Sequence, residues 1–294
     1  MIKLGIIGMS EGNGHPYSWS AIFNGYDPNF MKDCGFLVIN QYLAQRKFPD
    51  DSIPDGQVTH VWTHDMEISK HIAKAAKINT VCENINEMVS QVDAVLLARD
   101  DAENHYQFAK PFLEAGIPIY IDKPLATTVE SANKLLNSQQ YNWQIFSCSA
   151  FKYAKEFAPS NIDWNTVGDL RFINSTIPKK WDKYAVHIIE PVMQFISDSD
   201  EITSCSASNN AMQHILTVHW KSGVTTVFNV LGDAATPIEL KIVGTKGSQT
   251  LVFNDSFSAF KNTLEIFIEG LKSKRVMIPR EHTMRVIDLI EKGR

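Results

Sequence analysis

The sequence predicts an α/β chain in two parts. The first part is a doubly wound parallel sheet, and the second is an α+β domain with a large, mostly antiparallel open sheet. Three observations carry this. Short apolar strands alternate with helical stretches through residue 150, a glycine-rich turn follows the first strand, and from residue 151 onward strand-like segments follow one another through tight turns.

The 294-residue chain is 44% hydrophobic with a net charge of −5, enough apolar content for a core in each of two domains. A mildly acidic chain has no clustered basic face, so neither nucleic acid nor an anionic membrane surface is expected as a partner. The densest apolar runs, such as 94–98, are strand-sized and too short to span a bilayer. Met1 leads directly into a strand-like segment with no signal-peptide pattern. Cys34, Cys82, Cys148 and Cys205 form no C-x-x-C pair, so free thiols in a cytoplasmic protein are expected, with no metal site.

Residues 3–8 (KLGIIG) form an apolar strand ending in glycine, followed by a glycine-rich turn and a helical stretch over 17–24. Strand, glycine turn and helix N-terminus in that order suit a pyrophosphate. The spacing departs from G-x-G-x-x-G: the glycines fall at Gly8, Gly12 and Gly14, Ser10 stands where the second is expected, and His15 and Pro16 open the helix. A glycine-rich loop with no ligand is the competing reading. Residues 25–57 carry Pro28, Pro49 and Pro54 and fit no simple alternation; they read as an excursion near the cofactor or substrate mouth.

Residues 58–63 return to strand and 69–76 to helix. In a nucleotide-binding sheet the end of this second strand meets the adenosine ribose, normally through an acid. Thr63 stands there by spacing, then His64 and Asp65. Asp65 suits the ribose hydroxyls of NAD, whereas Thr63 and His64 tolerate the 2′-phosphate of NADP. Asp65 equally suits the dipole of the helix that follows. His60 and His71 have no partner at ligand spacing and read as structural. Residues 80–83 are a short strand, 85–90 a helix and 93–98 a buried strand. Ala98 and Arg99 at the end of that strand, with His105 beyond the polar loop, join the expected cofactor-binding residues. A helix over 106–115 is closed by Gly116, and 118–122 is the fifth strand.

That strand runs into Asp122-Lys123-Pro124. The proline fixes its own φ and pushes Lys123 towards extended backbone. An isolated Lys-Pro pair reads as surface. At the carboxyl end of a strand in an open parallel sheet, where ligands bind, Lys123 is a catalytic candidate.

The first strand with its glycine turn, DAVLLA with the helix HYQFAKPFLEAG, and above all YIDKPLA resemble the Gfo/Idh/MocA family of NAD(P)-dependent oxidoreductases. Asp122-Lys123-Pro124 looks like an aspartate version of that family's glutamate-lysine-proline motif. The resemblance covers the first part of the chain. It implies a Rossmann domain over 1–150, with Asp122 and Lys123 among the residues at NAD or NADP.

A helix over 129–137 and a strand over 144–150 complete the first domain; 151–294 form the second. Strands are expected at 168–176, 202–207, 215–220, 225–230, 238–244 and 248–253. The resemblance implies that the exposed face of this sheet pairs subunits into a homo-oligomer, and that a terminal helix over 281–292 packs back on the first domain. Residues 181–196 read as one helix, with Tyr184, His187 and Glu190 three apart on one face. In the family, a helix here carries a histidine that acts with the motif lysine, often four residues after an aspartate. His187 matches the histidine, but Lys183 occupies the aspartate position and the nearest acid is Asp182. Tyr184 or Asp182 is expected to take part of that role and Glu190 to orient the ring; a core histidine with a backbone partner is the alternative. Lys179 and Lys180 suit an anionic substrate group or plain surface. His214 and His219 sit at opposite parity on one strand and cannot share a metal.

The expected function is hydride transfer between nicotinamide and a carbinol or carbonyl carbon. His187 would be the general acid/base, and Lys123 would hydrogen-bond the substrate oxygen. A sugar, cyclitol or related polyhydroxylated substrate is implied by the resemblance. The alternatives are a non-catalytic nucleotide-binding sensor or scaffold of the same fold, and an NAD-using redox-neutral enzyme.

Overall fold

The structure, a computed structural model, describes residues 1–294. It contains two compact units that do not follow a single cut in the chain. The first comprises Met1–Leu125, Asn133–Ser147 and Phe260–Pro279; the second comprises Ala126–Ala132, Cys148–Ala259 and Arg280–Arg294.

The first unit holds β1 (Ile2–Ile7), α1 (His15–Asn24), α2 (Pro28–Met31), α3 (Leu37–Ala44), β2 (Gly56–Trp62), α4 (Met66–Ala75), β3 (Thr80–Val81), β4 (Ala94–Leu97), α5 (His105–Glu114) and β5 (Ile119–Ile121). Most of α6 (Val129–Asn137) and all of β6 (Ile145–Phe146) belong to it as well. Six parallel strands in the order β3-β2-β1-β4-β5-β6 form a doubly wound Rossmann sheet. β4 (AVLL) and β5 (IYI) are buried along their whole length, as strands covered by helices on both faces must be. The order reverses between β1 and β4, so the glycine turn after β1 and the loop after β4 lie side by side where such sheets bind ligands. The excursion contains the short helices α2 and α3. Tyr42 of α3 donates to Ser18 of α1 at 2.5 Å, and Phe36 and Ile39 fill the space that a Cβ on Gly14 would need. It therefore packs beside the opening turn of α1.

The second unit holds α7 (Trp164–Val167), β7 (Leu170–Ile177), α8 (Trp181–Tyr184), α9 (Val186–Met193), β8 (Ile202–Asn209), β9 (His214–Trp220), β10 (Thr225–Val230), β11 (Glu239–Gly244) and β12 (Ser248–Val252). Its sheet runs β12-β11-β7-β10-β9-β8, antiparallel except for β7 with β10. Ile173, Phe228, Leu216, Val218, Leu240 and Ile242 make one buried face, against which α9 packs. The opposite face carries Phe172, Asn174, Thr217, Val227, Asn229 and Lys241, all at least partly exposed.

Two expectations are corrected. The chain over 181–196 is two helices, because Ala185 separates α8 from α9. Residues 85–90 contain one 3₁₀ turn, Ile85–Met88. The last helix, α11 (Arg280–Lys292), belongs to the second unit. There the Trp181 indole N–H donates to the Ile290 carbonyl at 2.8 Å, and a Cβ on Gly293 would lie 2.0 Å from the Trp181 ring. Phe260–Pro279, which includes most of α10 (Ser256–Ser273), belongs to the first unit, an assignment that the strand-by-strand reading did not predict. No helix is long and apolar enough to cross a membrane. Cys34, Cys82, Cys148 and Cys205 are free thiols, and no group of His, Cys, Asp or Glu could hold a metal ion.

Candidate active site

In the first unit, Asp122 and Lys123 end β5 and are both buried. A buried carboxylate needs donors. Asp122 Oδ2 accepts from Asn13 Nδ2 at 2.9 Å and from His15 Nδ1 at 2.7 Å, and Oδ1 accepts the Lys123 backbone N–H at 2.8 Å. Burial alone would raise its pKa, but the charges of His15 and Lys123 and these hydrogen bonds outweigh it and hold the carboxyl well below the usual range. Lys123 Nζ lies 3.7 Å from Asp100 Oδ2, and the Ser10 hydroxyl donates to Asp100 Oδ1 at 2.7 Å. Two polar ties thus join the glycine turn to the strand ends: Ser10 to Asp100, and Asn13 with His15 to Asp122. Asp100 and Asn13 were not singled out in the sequence, because a polar loop does not reveal which of its members fold inward.

The turn fits a dinucleotide in a way its spacing does not announce. Gly8 is glycine because a Cβ there would meet Pro16 Cγ at 2.3 Å. Gly12 has φ +76° and open space on its Cβ side, so another molecule's atoms can approach its backbone. The N–H groups of Ser10, Glu11, Gly12 and Gly14 donate no hydrogen bond within the chain, whereas the His15 N–H is taken by Asn13 Oδ1 at 2.8 Å. Such a run of undirected amides is a nest for an anion. The donors come from the loop more than from the first turn of α1.

At the end of β2, Thr63 is buried and spends its hydroxyl on the Asp65 carbonyl (2.6 Å) and on Ser69 Oγ (2.9 Å). Asp65 caps α4, accepting from Glu67 N at 2.8 Å and Ile68 N at 3.3 Å through Oδ1. His64 Nδ1 faces Arg99 at 3.3 Å. The Arg99 guanidinium is held by both carboxylate oxygens of Asp101, at 2.9 and 2.5 Å, and by the Met9 carbonyl. Ala98 ends β4 with its N–H on Ile7 O at 2.8 Å. His105 corrects an expectation: it is fully buried, with both ring nitrogens against backbone carbonyls, Leu125 at 3.0 Å and Arg99 at 2.8 Å. Its ring joins two loops and has no nitrogen left for a cofactor.

In the second unit, α9 (VHIIEPVM) is buried on every side, so His187 and Glu190 must find partners inside the protein. Both find Ser149, which the sequence did not single out. Ser149 Oγ lies 2.6 Å from His187 Nδ1, and the Ser149 N–H donates to Glu190 Oε2. Ser149 thus links Glu190 to the imidazole. The Phe151 ring packs on His187 at 4.5 Å between centroids, and the Tyr184 ring lies at 5.5 Å. The Tyr184 hydroxyl accepts from Lys179 Nζ at 2.7 Å. Asp182 is exposed and pairs with Arg294 at 3.1 Å.

Behind Glu190 lie His282 and Lys152. Burial pushes Glu190 up from 4.5 to about 7 against the opposing pull of Lys152. Burial, and then the Lys152 charge, push His282 down to about 4. His282 Nε2 lies 3.9 Å from Glu190 Oε1 and 3.2 Å from the Lys152 ammonium. With His282 neutral, the 3.9 Å contact is not an ion pair. The two shifts oppose each other in stability. Glu190 binds its proton more tightly when folded, so its contribution is lost as pH rises from 4.5 to about 7. His282 binds its proton less tightly when folded, so its contribution is lost as pH falls from 6.5 to about 4. Glu190→Gln should remove the first effect, on the order of 1–3 kcal/mol. Urea midpoints would then rise steadily to pH 6.5 with no decline above; a decline as large as in wild type would refute the assignment.

Residues 34–148 match the model of an oxidoreductase family with an NAD-binding Rossmann fold. Scyllo-inositol dehydrogenase from Lactobacillus casei, solved with NAD(H) and scyllo-inositol, is similar over 99% of this chain and 95% of its own, with 14% identity and a TM-score of 0.71. Myo-inositol 2-dehydrogenase from Lactobacillus plantarum is similar over 99% and 95%, with 13% identity and a TM-score of 0.73. A 3-ketoreductase from Actinomadura kijaniata, solved with NADP, is similar over 99% and 96%, with 14% identity and a TM-score of 0.73. At these identities the likeness shows the fold. No curated protein sequence matches the chain.

Proposed function

We propose that the protein interconverts a carbinol and a carbonyl on a sugar, cyclitol or related polyhydroxylated small molecule, a reading supported by the match of residues 34–148 to the Gfo/Idh/MocA oxidoreductase family with its NAD-binding Rossmann fold. The observation that carries this is Lys123: a buried ammonium at the carboxyl end of β5, beside a glycine turn whose loop amides are undirected. Those amides of Ser10, Glu11, Gly12 and Gly14 would hold the pyrophosphate of NAD or NADP. Bound there, the nicotinamide supplies the hydride donor or acceptor.

The chain's own residues do the rest. Lys123 donates to the substrate oxygen and stabilises the negative charge that develops on it. Asp122 and Asp100 hold the lysine's backbone and ammonium, so little reorganisation is needed. His187, in its buried, aromatic-lined place on α9 of the second unit, is the second group read as acting on substrate. Tyr184 and Lys179 line the approach to His187 and favour a substrate rich in hydroxyls or bearing an anionic group. The open polar face of the second sheet suits pairing with a second copy of the chain. Sedimentation as a monomer at micromolar concentration would exclude that pairing.

Absorbance at the reduced-nicotinamide band, followed over a panel of sugars, polyols and their keto forms with NAD and NADP, tests the activity. Cofactor-dependent turnover on at least one polyol is expected. Saturable cofactor binding without turnover across the panel would favour a sensor. Product formed with no net change in cofactor redox state would favour a redox-neutral enzyme. The ratio of NAD to NADP affinity would decide between ribose contact by Asp65 and 2′-phosphate contact near His64.

A further inference from the structure

We propose that Ser149 fixes the neutral imidazole of His187 as the tautomer with its hydrogen on Nε2, so that His187 meets the substrate as a hydrogen-bond donor. That His187 acts on substrate at all rests on the functional reading given above.

Ser149 is fully buried, and its Oγ has two partners. The Phe151 backbone N–H donates to it at 3.1 Å, so towards that group Oγ can only accept. The other partner is His187 Nδ1 at 2.6 Å. The hydroxyl's own hydrogen therefore has one acceptor in reach, the lone pair on Nδ1. In the opposite arrangement Nδ1–H would donate to Oγ, and a buried hydroxyl hydrogen would be left with nothing to bond, which protein interiors strongly disfavour. Ring tautomers follow from the partner on the other nitrogen, and here that partner must be the donor. Nor can Ser149 turn away. Its N–H is bonded to the buried Glu190, and the Phe151 ring that follows it lies on the imidazole.

The consequence is chemical. A neutral ring with its hydrogen on Nε2 and its lone pair committed to Ser149 cannot take a proton at Nε2. It can donate from there, polarising a carbonyl oxygen or binding a lone pair of a carbinol oxygen. A carboxylate in the place of Ser149 could only accept, and would enforce the opposite tautomer. The position four residues before His187, where an aspartate would stand, is Lys183. His187 is thus built as a donor, and Ser149 is its positioning residue.

The test is nuclear magnetic resonance of protein labelled with ¹⁵N-histidine, with His187→Gln used to assign the signal. Wild type is expected to show His187 with Nε2 protonated and Nδ1 unprotonated. In Ser149→Ala the His187 nitrogens should move towards an average of the two tautomers, and Ser149→Thr should restore them. With the true substrate, Ser149→Ala should lower kcat by about tenfold while KM changes less than about twofold. A wild-type spectrum with Nδ1 protonated overturns the proposal without any variant having to fold, as does an unchanged His187 signal in a folded Ser149→Ala. An Nε2–H signal in a protein that turns over no polyol or sugar supports the tautomer and overturns the functional reading instead.

Discussion

Lys123→Ala is expected to lower kcat/KM by a factor on the order of 10²–10⁴ on the true substrate, measured by initial rates with saturating cofactor. The loss arises because the ammonium is held where charge develops, and water entering the space is not similarly oriented. The change also leaves Asp100 buried without its cation. Asp100 keeps the Ser10 hydroxyl, and the ion pair is long at 3.7 Å, so the stability loss should be about 2–4 kcal/mol. Lys123→Met, which keeps the stem, should be equally inactive yet more stable. Near wild-type rates in either folded variant would remove Lys123 from the chemistry. His187→Ala should likewise lose orders of magnitude. His187→Gln, which retains an N–H donor, should lose less.

Asp122→Ala is expected to have the largest effect on stability, roughly 3–5 kcal/mol by urea unfolding at pH 7. It strips the partner from three groups at once: Asn13 Nδ2, His15 Nδ1 and the Lys123 N–H. The pH dependence has a definite sign. The folded pKa of Asp122 lies below its unfolded value of about 3.9. Its contribution is therefore complete above that value and is lost as pH falls below it. The gap between wild type and Asp122→Ala should narrow in acid, and a gap unchanged between pH 7 and pH 3 would refute the charge-based account. Cofactor affinity should fall as well, since the glycine turn loses its anchor to β5.

Much of the fold is legible in the residues. The alternation of short apolar strands with helices, the change of pattern after residue 150 and the closing Gly116 all report local periodicity and local backbone demand, which neighbours in sequence determine. Lys123 is legible for the same reason: a strand, then lysine, then proline, is a local arrangement. His187 needed the resemblance to be singled out, because a histidine in an apolar helix is as consistent with a core position.

Other features depend on residues far apart in the chain. Asp100 meets Ser10 across 90 positions, Asp122 meets His15 across 107, and Ser149 meets His187 across 38. No period or spacing encodes such pairs. The same holds for Thr63 and His105, whose polarity suggests a ligand but whose hydrogen bonds are spent inside the protein. It holds also for α10 and α11, whose assignment to the two units depends on which helix buries its apolar face against which sheet.

The residues by themselves determined a two-part α/β chain with a nucleotide-binding sheet and a lysine at the end of its fifth strand. They did so because helix and strand periods, turns and prolines act within a few residues. Only the tertiary structure decided that Ser149, rather than an acid, holds His187, and that Asp100 and Asp122 tie the glycine turn to Lys123. A buried polar group must be satisfied by whatever the fold brings within about 3 Å, and that is settled by packing rather than by sequence order.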